Sequence, residues 1–200
     1  RGLPVMGFVR NPWDWYVSWY AFNRMRLRSV IFSVASNDGQ LDFNSTVMNL
    51  LHLGSDSALG CRMRKRMIER LPDRIIGNRG AGITRSDLAA FNDGQTGYYS
   101  WLVQRMFGGV AQQQLYLGSF ENLRAELLRL WRMLGVQLSP ALEQAVFRRE
   151  QANISARAQI DTDYSPEVLA AIAQQEQWVC RRFGYAAPPA LNLFALCCQE

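Results

Sequence analysis

Residues 5–20 read VMGFVRNPWDWYVSWY, an apolar run followed by a helix cap, a proline and regularly spaced aromatic residues. Val5 to Val9 predicts a short strand that is covered on both faces. Asn11 is a favoured cap residue, and Pro12 suits the first position of a helix, where its missing N–H costs nothing. These residues therefore predict a strand that turns directly into a helix.

The predicted helix carries aromatic residues at a spacing typical of one helix face. We expect this face to point into the core; its members are Trp15, Trp19 and Phe22. A neighbouring face carries polar side chains, which are Asn11, Asp14 and Ser18.

Arg10 is expected at the carboxyl end of the strand, beside the helix N-terminus, with the hydroxyl of Ser18 two turns further along. A guanidinium, a helix dipole and a hydroxyl would then converge on one oxygen-rich anion. The local chemistry leaves a simpler alternative open, in which Arg10 pairs with Asp14 at an ordinary strand–helix corner.

The ordered pattern V-R-N-P-x-D-x-x-V-S-x-Y, from Val9 to Tyr20, resembles the 3′-phosphate-binding motif of sulfotransferases that use 3′-phosphoadenosine 5′-phosphosulfate. The resemblance implies that Arg10 and Ser18 hold the 3′-phosphate of this nucleotide. It also implies an α/β fold of the P-loop NTPase-like type, helix-rich, with three layers and a parallel sheet flanked by helices.

Two later segments resemble the same family. Residues 114–120 predict a second strand, which leads through Glu121 into a helix that ends near Gly135. Glu121 is either a general base or, as we prefer, a carboxylate that serves backbone donors at a helix start. Ser155 and Arg157 lie in a polar loop where the family closes over the cofactor phosphate; the alternative is a surface loop with an incidental arginine.

The other predicted elements are helices. The pattern indicates a short helix over residues 43–51 capped near Asn44 or Ser45, an amphipathic helix around Met63 and Met67, and one over residues 98–106. Ser165 and Pro166 predict the start of the last helix, whose ending at Phe183-Gly184-Tyr185 is typical of bacterial members of the family.

The composition suits one domain of 200 residues with a net charge of +5. Lys65 is the only lysine, and an arginine-rich surface favours phosphate, sulfate or carboxylate ligands. No basic block interleaved with aromatic residues points to nucleic acid, and no apolar run is long enough to span a membrane. The four cysteines lack metal-ligand spacing and a disulfide framework, which favours a reducing cytoplasm.

In the sulfotransferases a first strand and the loop after it precede the arginine motif and carry a catalytic lysine and hydroxyl residue. These 200 residues do not contain that loop, so we expect the catalytic residues upstream of Arg1. Lys65 and His52 are poor substitutes. We accordingly expect an N-terminally incomplete domain over residues 1–185, a tail over 186–200, weak nucleotide binding and little or no turnover.

The implied reaction is transfer of a sulfuryl group from the nucleotide to a hydroxyl or amine, which leaves adenosine 3′,5′-bisphosphate. Two alternatives stay open. One is a non-catalytic nucleotide- or anion-binding module, and the other is an interaction protein that uses its aromatic and arginine-rich surface. The sequence does not indicate the acceptor.

Overall fold

The computed structural model describes residues 4–26, 29–74, 82–148 and 161–188. Within these ranges the protein is helix-rich and contains one parallel sheet of two strands. The helices are α1 (Pro12–Arg26), α2 (Val30–Ala35), α3 (Phe43–Leu51), α4 (Ala58–Arg70), α5 (Arg85–Ala89), α6 (Tyr98–Phe107), α7 (Leu123–Met133), α8 (Pro140–Arg148), α9 (Pro166–Gln175) and α10 (Gln177–Phe183).

The sheet pairs β1 (Val5–Val9) with β2 (Leu115–Ser119), in register from Val5 opposite Leu115 to Val9 opposite Ser119. Both strands were predicted from the sequence, and both are confirmed. Parallel neighbours need a long crossover connection, and α1 to α6 provide it. Helices and a parallel sheet make this an α/β arrangement, with the carboxyl ends of both strands at the same edge.

The turn from β1 into α1 forms as the sequence predicts. The side chain of Asn11 accepts a hydrogen bond from the Trp13 N–H at 3.0 Å, so Asn11 caps the helix. The predicted core face of α1 is wrong in part. Phe22 is 54% exposed, and the buried aromatic residues of this helix include Tyr16 and Tyr20.

The reason for this error is that aromatic residues surround much of α1, so their spacing does not single out one face. Tyr20 packs edge-on against Phe32 and Phe43, which belong to α2 and α3. Trp15 and Trp19 are half-buried on another side and stack on each other with ring centroids 6.0 Å apart. The helix therefore buries a different stripe from the predicted one.

The remaining helix predictions are largely confirmed. The helix over residues 43–51 and the helix beginning at Tyr98 are present as α3 and α6. The cap of α3 is Asp42 rather than Asn44 or Ser45, since the Asp42 carboxylate accepts the Ser45 N–H at 2.7 Å. Met63 and Met67 of α4 point into the core, as their spacing predicts.

The last predicted helix is two helices, α9 and α10, which meet at Glu176. The Ser165 side chain caps α9, and α10 ends at Gly184, whose φ of 71° is the left-handed value that glycine adopts readily. Buried residues of α9 and α10 join the same core as those of α1 to α4. No helix in the described ranges is both long and apolar enough to cross a membrane.

The core predicts a clear difference between two methionines. Met67 has no exposed surface, whereas Met25 on α1 is 60% exposed. Met67→Ala should lower the free energy of unfolding by about 2–5 kcal/mol, because it removes buried methylene groups and leaves a cavity. Urea denaturation of both alanine variants measures this difference. A loss for Met25→Ala as large as that for Met67→Ala would contradict the assigned core.

Candidate anion-binding site

A cleft of about 400 Å³ lies between α1, α6 and the carboxyl end of the sheet. Its walls are mostly aromatic and aliphatic, and Arg10 and Ser18 are its polar members. The apolar lining comes from Phe8, Trp15, Trp19, Phe22, Tyr99, Leu102, Val103, Met106, Phe107 and Phe120. The structure thus brings together the two residues that the sequence singles out first.

Arg10 follows the last residue of β1 and is half-buried. Its guanidinium carbon lies 5.2 Å from the centre of the Phe120 ring, which follows β2 at the same edge of the sheet. Its backbone N–H donates to the Tyr99 hydroxyl at 2.8 Å. Cation–π contact and this hydrogen bond place the arginine at the mouth of the cleft.

Ser18 lies two turns into α1 and is half-buried in the same cleft. Trp15 lines the same cleft, and its ring stacks on Tyr99 at a centroid distance of 4.4 Å and an interplanar angle of 18°. The stack joins α1 to α6 and builds one wall. A small hydroxyl and a guanidinium therefore face a cleft with rigid aromatic sides.

Glu121 closes the corner between β1 and α1. One carboxylate oxygen accepts the Asn11 N–H at 2.7 Å. The other lies 2.6 Å from the Ser119 hydroxyl and 2.8 Å from the Tyr185 hydroxyl. Glu121 therefore accepts a backbone N–H at the start of a helix, as the sequence analysis preferred. The helix is α1, which follows the neighbouring strand, and not α7, which follows Glu121 itself.

These donors also affect the acidity of Glu121. Partial burial alone would raise its pKa, but hydrogen bonds from the Asn11 amide, Ser119 and Tyr185 outweigh that effect and hold the pKa below its ordinary value. Such a carboxylate is a weaker base than usual. This environment favours a structural role for Glu121 over general-base catalysis.

Glu176 is the residue of this region that the sequence reasoning missed. It has no exposed surface, and its carboxylate accepts the Tyr16 hydroxyl at 2.5 Å. It also accepts the backbone N–H groups of Tyr99 at 3.1 Å and Ser100 at 2.7 Å, at the start of α6. Burial raises the pKa of Glu176 despite these bonds.

One sequence signal could have identified Glu176. It lies four residues after Ile172 and three before Val179, on the helical spacing of two buried residues. An acidic residue on an apolar face needs donors, because an unpaired buried charge is very costly. The sequence does not show that those donors lie 76 residues or more away.

Other candidate residues are not brought to the cleft. Ser155 and Arg157 lie outside the described residues. Lys65 is exposed on α4, and His52 is half-buried just after α3. In the ranges that the structure describes, no three His, Cys, Asp or Glu side chains are grouped to hold a metal ion.

The lowered pKa of Glu121 predicts a pH-dependent contribution to stability. Its folded pKa lies below the ordinary 4.5, so its stabilisation is full above that value and is lost as the pH falls through the folded pKa. Glu121→Gln should lower the free energy of unfolding by about 1 kcal/mol at pH 7. The difference from wild type should shrink at pH 3, as measured by urea denaturation.

Glu69→Gln is the control for this substitution. Glu69 has an exposed side chain on α4, so its loss should change stability little. An equal deficit of Glu121→Gln at pH 7 and pH 3 would show that the carboxylate charge is not responsible.

Comparison of this chain with protein-family models, with curated proteins and with solved structures finds no match. The class of ligand that fits the cleft must therefore be inferred from the residues that line it. Arg10 places a guanidinium at the carboxyl end of a parallel strand, beside the N-terminus of α1, and Ser18 lines the same cleft two turns further along that helix. Such a guanidinium is suited to an anionic group.

Proposed function

We propose that this chain is a sulfotransferase-type domain that binds 3′-phosphoadenosine 5′-phosphosulfate, with Arg10 and Ser18 on its 3′-phosphate. One observation carries the proposal: Arg10 and Ser18, matched to the motif in sequence, line the same cleft. Ligands of α/β proteins commonly bind at the carboxyl ends of the strands, which is where Arg10 lies.

The chemistry of the cleft fits a phosphate on a purine nucleoside. An arginine fork makes paired charge-assisted hydrogen bonds with phosphate oxygens, and a serine hydroxyl adds a third donor. Aromatic walls such as Trp15 offer faces on which a base can stack. A volume of about 400 Å³ falls in the range of ordinary ligand pockets.

The proposal extends to the fold and the reaction. The two parallel strands with their helical crossover support a three-layer, P-loop NTPase-like fold. In the reaction, the S–O bond to the nucleotide phosphate breaks and a bond from sulfur to an acceptor oxygen or nitrogen forms. The acceptor proton passes to a base, which we do not assign to a described residue. Ser155 and Arg157 remain proposed phosphate ligands.

A second candidate is an anion-binding module without transferase activity. The lining of the cleft favours this candidate. Of the described residues that line it, Arg10 alone carries a charge. A donor that carries a phosphosulfate as well as a 3′-phosphate needs more cationic groups than this. Free thiols at Cys61 and Cys180 support a reducing, cytoplasmic location for either candidate.

Titration with adenosine 3′,5′-bisphosphate tests the proposed site. Arg10→Ala should weaken binding by about 30- to 150-fold, because a bidentate charged contact contributes on the order of 2–3 kcal/mol. Ser18→Ala should weaken it about fivefold, since it loses one neutral donor. Calorimetry on the wild type and both variants measures the dissociation constants.

Arg132→Ala is the matched control, because Arg132 is an exposed arginine of α7 that pairs with Glu143, and it does not line the cleft. Its affinity should equal that of the wild type. Equal losses for Arg10→Ala and Arg132→Ala would indicate binding by net charge alone and would overturn the proposed site. Sulfuryl transfer to added alcohols or amines then separates the transferase from the anion-binding module.

A further inference from the structure

Tyr99 makes a hydrogen bond at each end, and these two bonds link the cleft to the buried carboxylate of Glu176, which does not line the cleft. The Tyr99 hydroxyl accepts the Arg10 N–H at 2.8 Å, whereas the Tyr99 N–H donates to Glu176 at 3.1 Å. Its ring stacks on Trp15 in between. Tyr99 therefore connects Glu176 to the Arg10 amide, through its backbone N–H at one end and its hydroxyl at the other.

The start of α6 has no local cap. Gly97 stands in the cap position, so no side chain there can accept the first N–H groups of the helix. The Glu176 carboxylate accepts two of them, from Tyr99 and Ser100. Removal of this carboxylate would leave buried donors without an acceptor, which is costly.

Gly97 and Glu176 fit together closely. A Cβ atom at position 97 would lie 2.2 Å from a carboxylate oxygen of Glu176, so a side chain there would displace the carboxylate. The Gly97 N–H also donates to the Gln175 carbonyl at 2.8 Å. The segment between α9 and α10 therefore binds the start of α6 through the backbone carbonyl of Gln175 and through the carboxylate of Glu176.

We propose that Glu176 is a positioning residue for the cleft, acting through Tyr99 to hold the main chain at Arg10. For nucleotide affinity this rests on the proposed function, but the placement of the Arg10 amide does not. Glu176 itself lines no part of the cleft. Its effect on a bound anion would therefore be indirect, because the main-chain position at Arg10 sets the orientation of the guanidinium.

Hydrogen exchange at the Arg10 amide, measured by NMR without ligand, tests the link directly. Tyr99→Phe removes the hydroxyl and keeps the ring, and Glu176→Gln removes the carboxylate at similar size. Each should speed exchange at Arg10 about tenfold relative to amides of α3, because one hydrogen bond contributes free energy of that order. Tyr98→Phe is the matched control and should leave the rate unchanged.

The double variant distinguishes positioning from a general loss of stability. If Glu176 acts through Tyr99, Glu176→Gln should add little to the exchange rate once Tyr99→Phe is present. Independent, multiplying effects would overturn the proposal, as would unchanged exchange at Arg10 in either single variant. If Glu176→Gln does not fold, Tyr16→Phe, which removes the 2.5 Å donor to Glu176, takes its place and should speed exchange at least about threefold.

Titration with adenosine 3′,5′-bisphosphate supplies the second readout. Tyr99→Phe and Glu176→Gln should each raise the dissociation constant about tenfold, since a displaced main chain misaligns the guanidinium. Faster exchange with unchanged affinity would overturn the role of Glu176 in binding. Absence of binding by a folded wild type would overturn the proposed function instead, and the exchange rates would then decide the positioning role alone.

Discussion

Much of this structure depends on the hydrogen bonds that the buried carboxylate of Glu176 accepts. A carboxylate with no exposed surface is very costly unless donors surround it. Here Tyr16 of α1 and two backbone N–H groups of α6 supply them. Because the carboxylate itself comes from the joint of α9 and α10, three distant parts of the chain must meet to satisfy it.

Glu121 does for α1 what Glu176 does for α6. Each carboxylate arrives from a distant segment and accepts N–H groups at a helix start, where backbone donors lack partners within the helix. Helix α1 also has its own cap, Asn11, whereas α6 has only Gly97. The corner between β1 and α1 is therefore held by Glu121 on one side and by Tyr99 on the other.

This rigid corner gives the cleft its chemical character. Arg10 follows the last residue of β1 and is surrounded by aromatic side chains, and most of the surface of the cleft is apolar. A charged contact is stronger where the surroundings are apolar and water is limited, because the effective dielectric constant is lower. The Arg10 guanidinium, with the Ser18 hydroxyl lining the same cleft, lies in such surroundings, which would strengthen the proposed contact with an anion relative to the same contact on an open surface.

Features encoded by residues close together along the chain could be predicted from the sequence alone. Apolar runs determined β1 and β2, Asn11 and Pro12 determined the start of α1, and the motif from Val9 to Tyr20 singled out Arg10 and Ser18. Only the tertiary structure decided which aromatic face of α1 is buried, and which helix Glu121 serves. It alone showed that α9 and α10 part at Glu176, whose donors lie far away in sequence. The physical reason is that periodicity and caps act over a few residues, whereas burial and long-range hydrogen bonds depend on how the whole chain assembles.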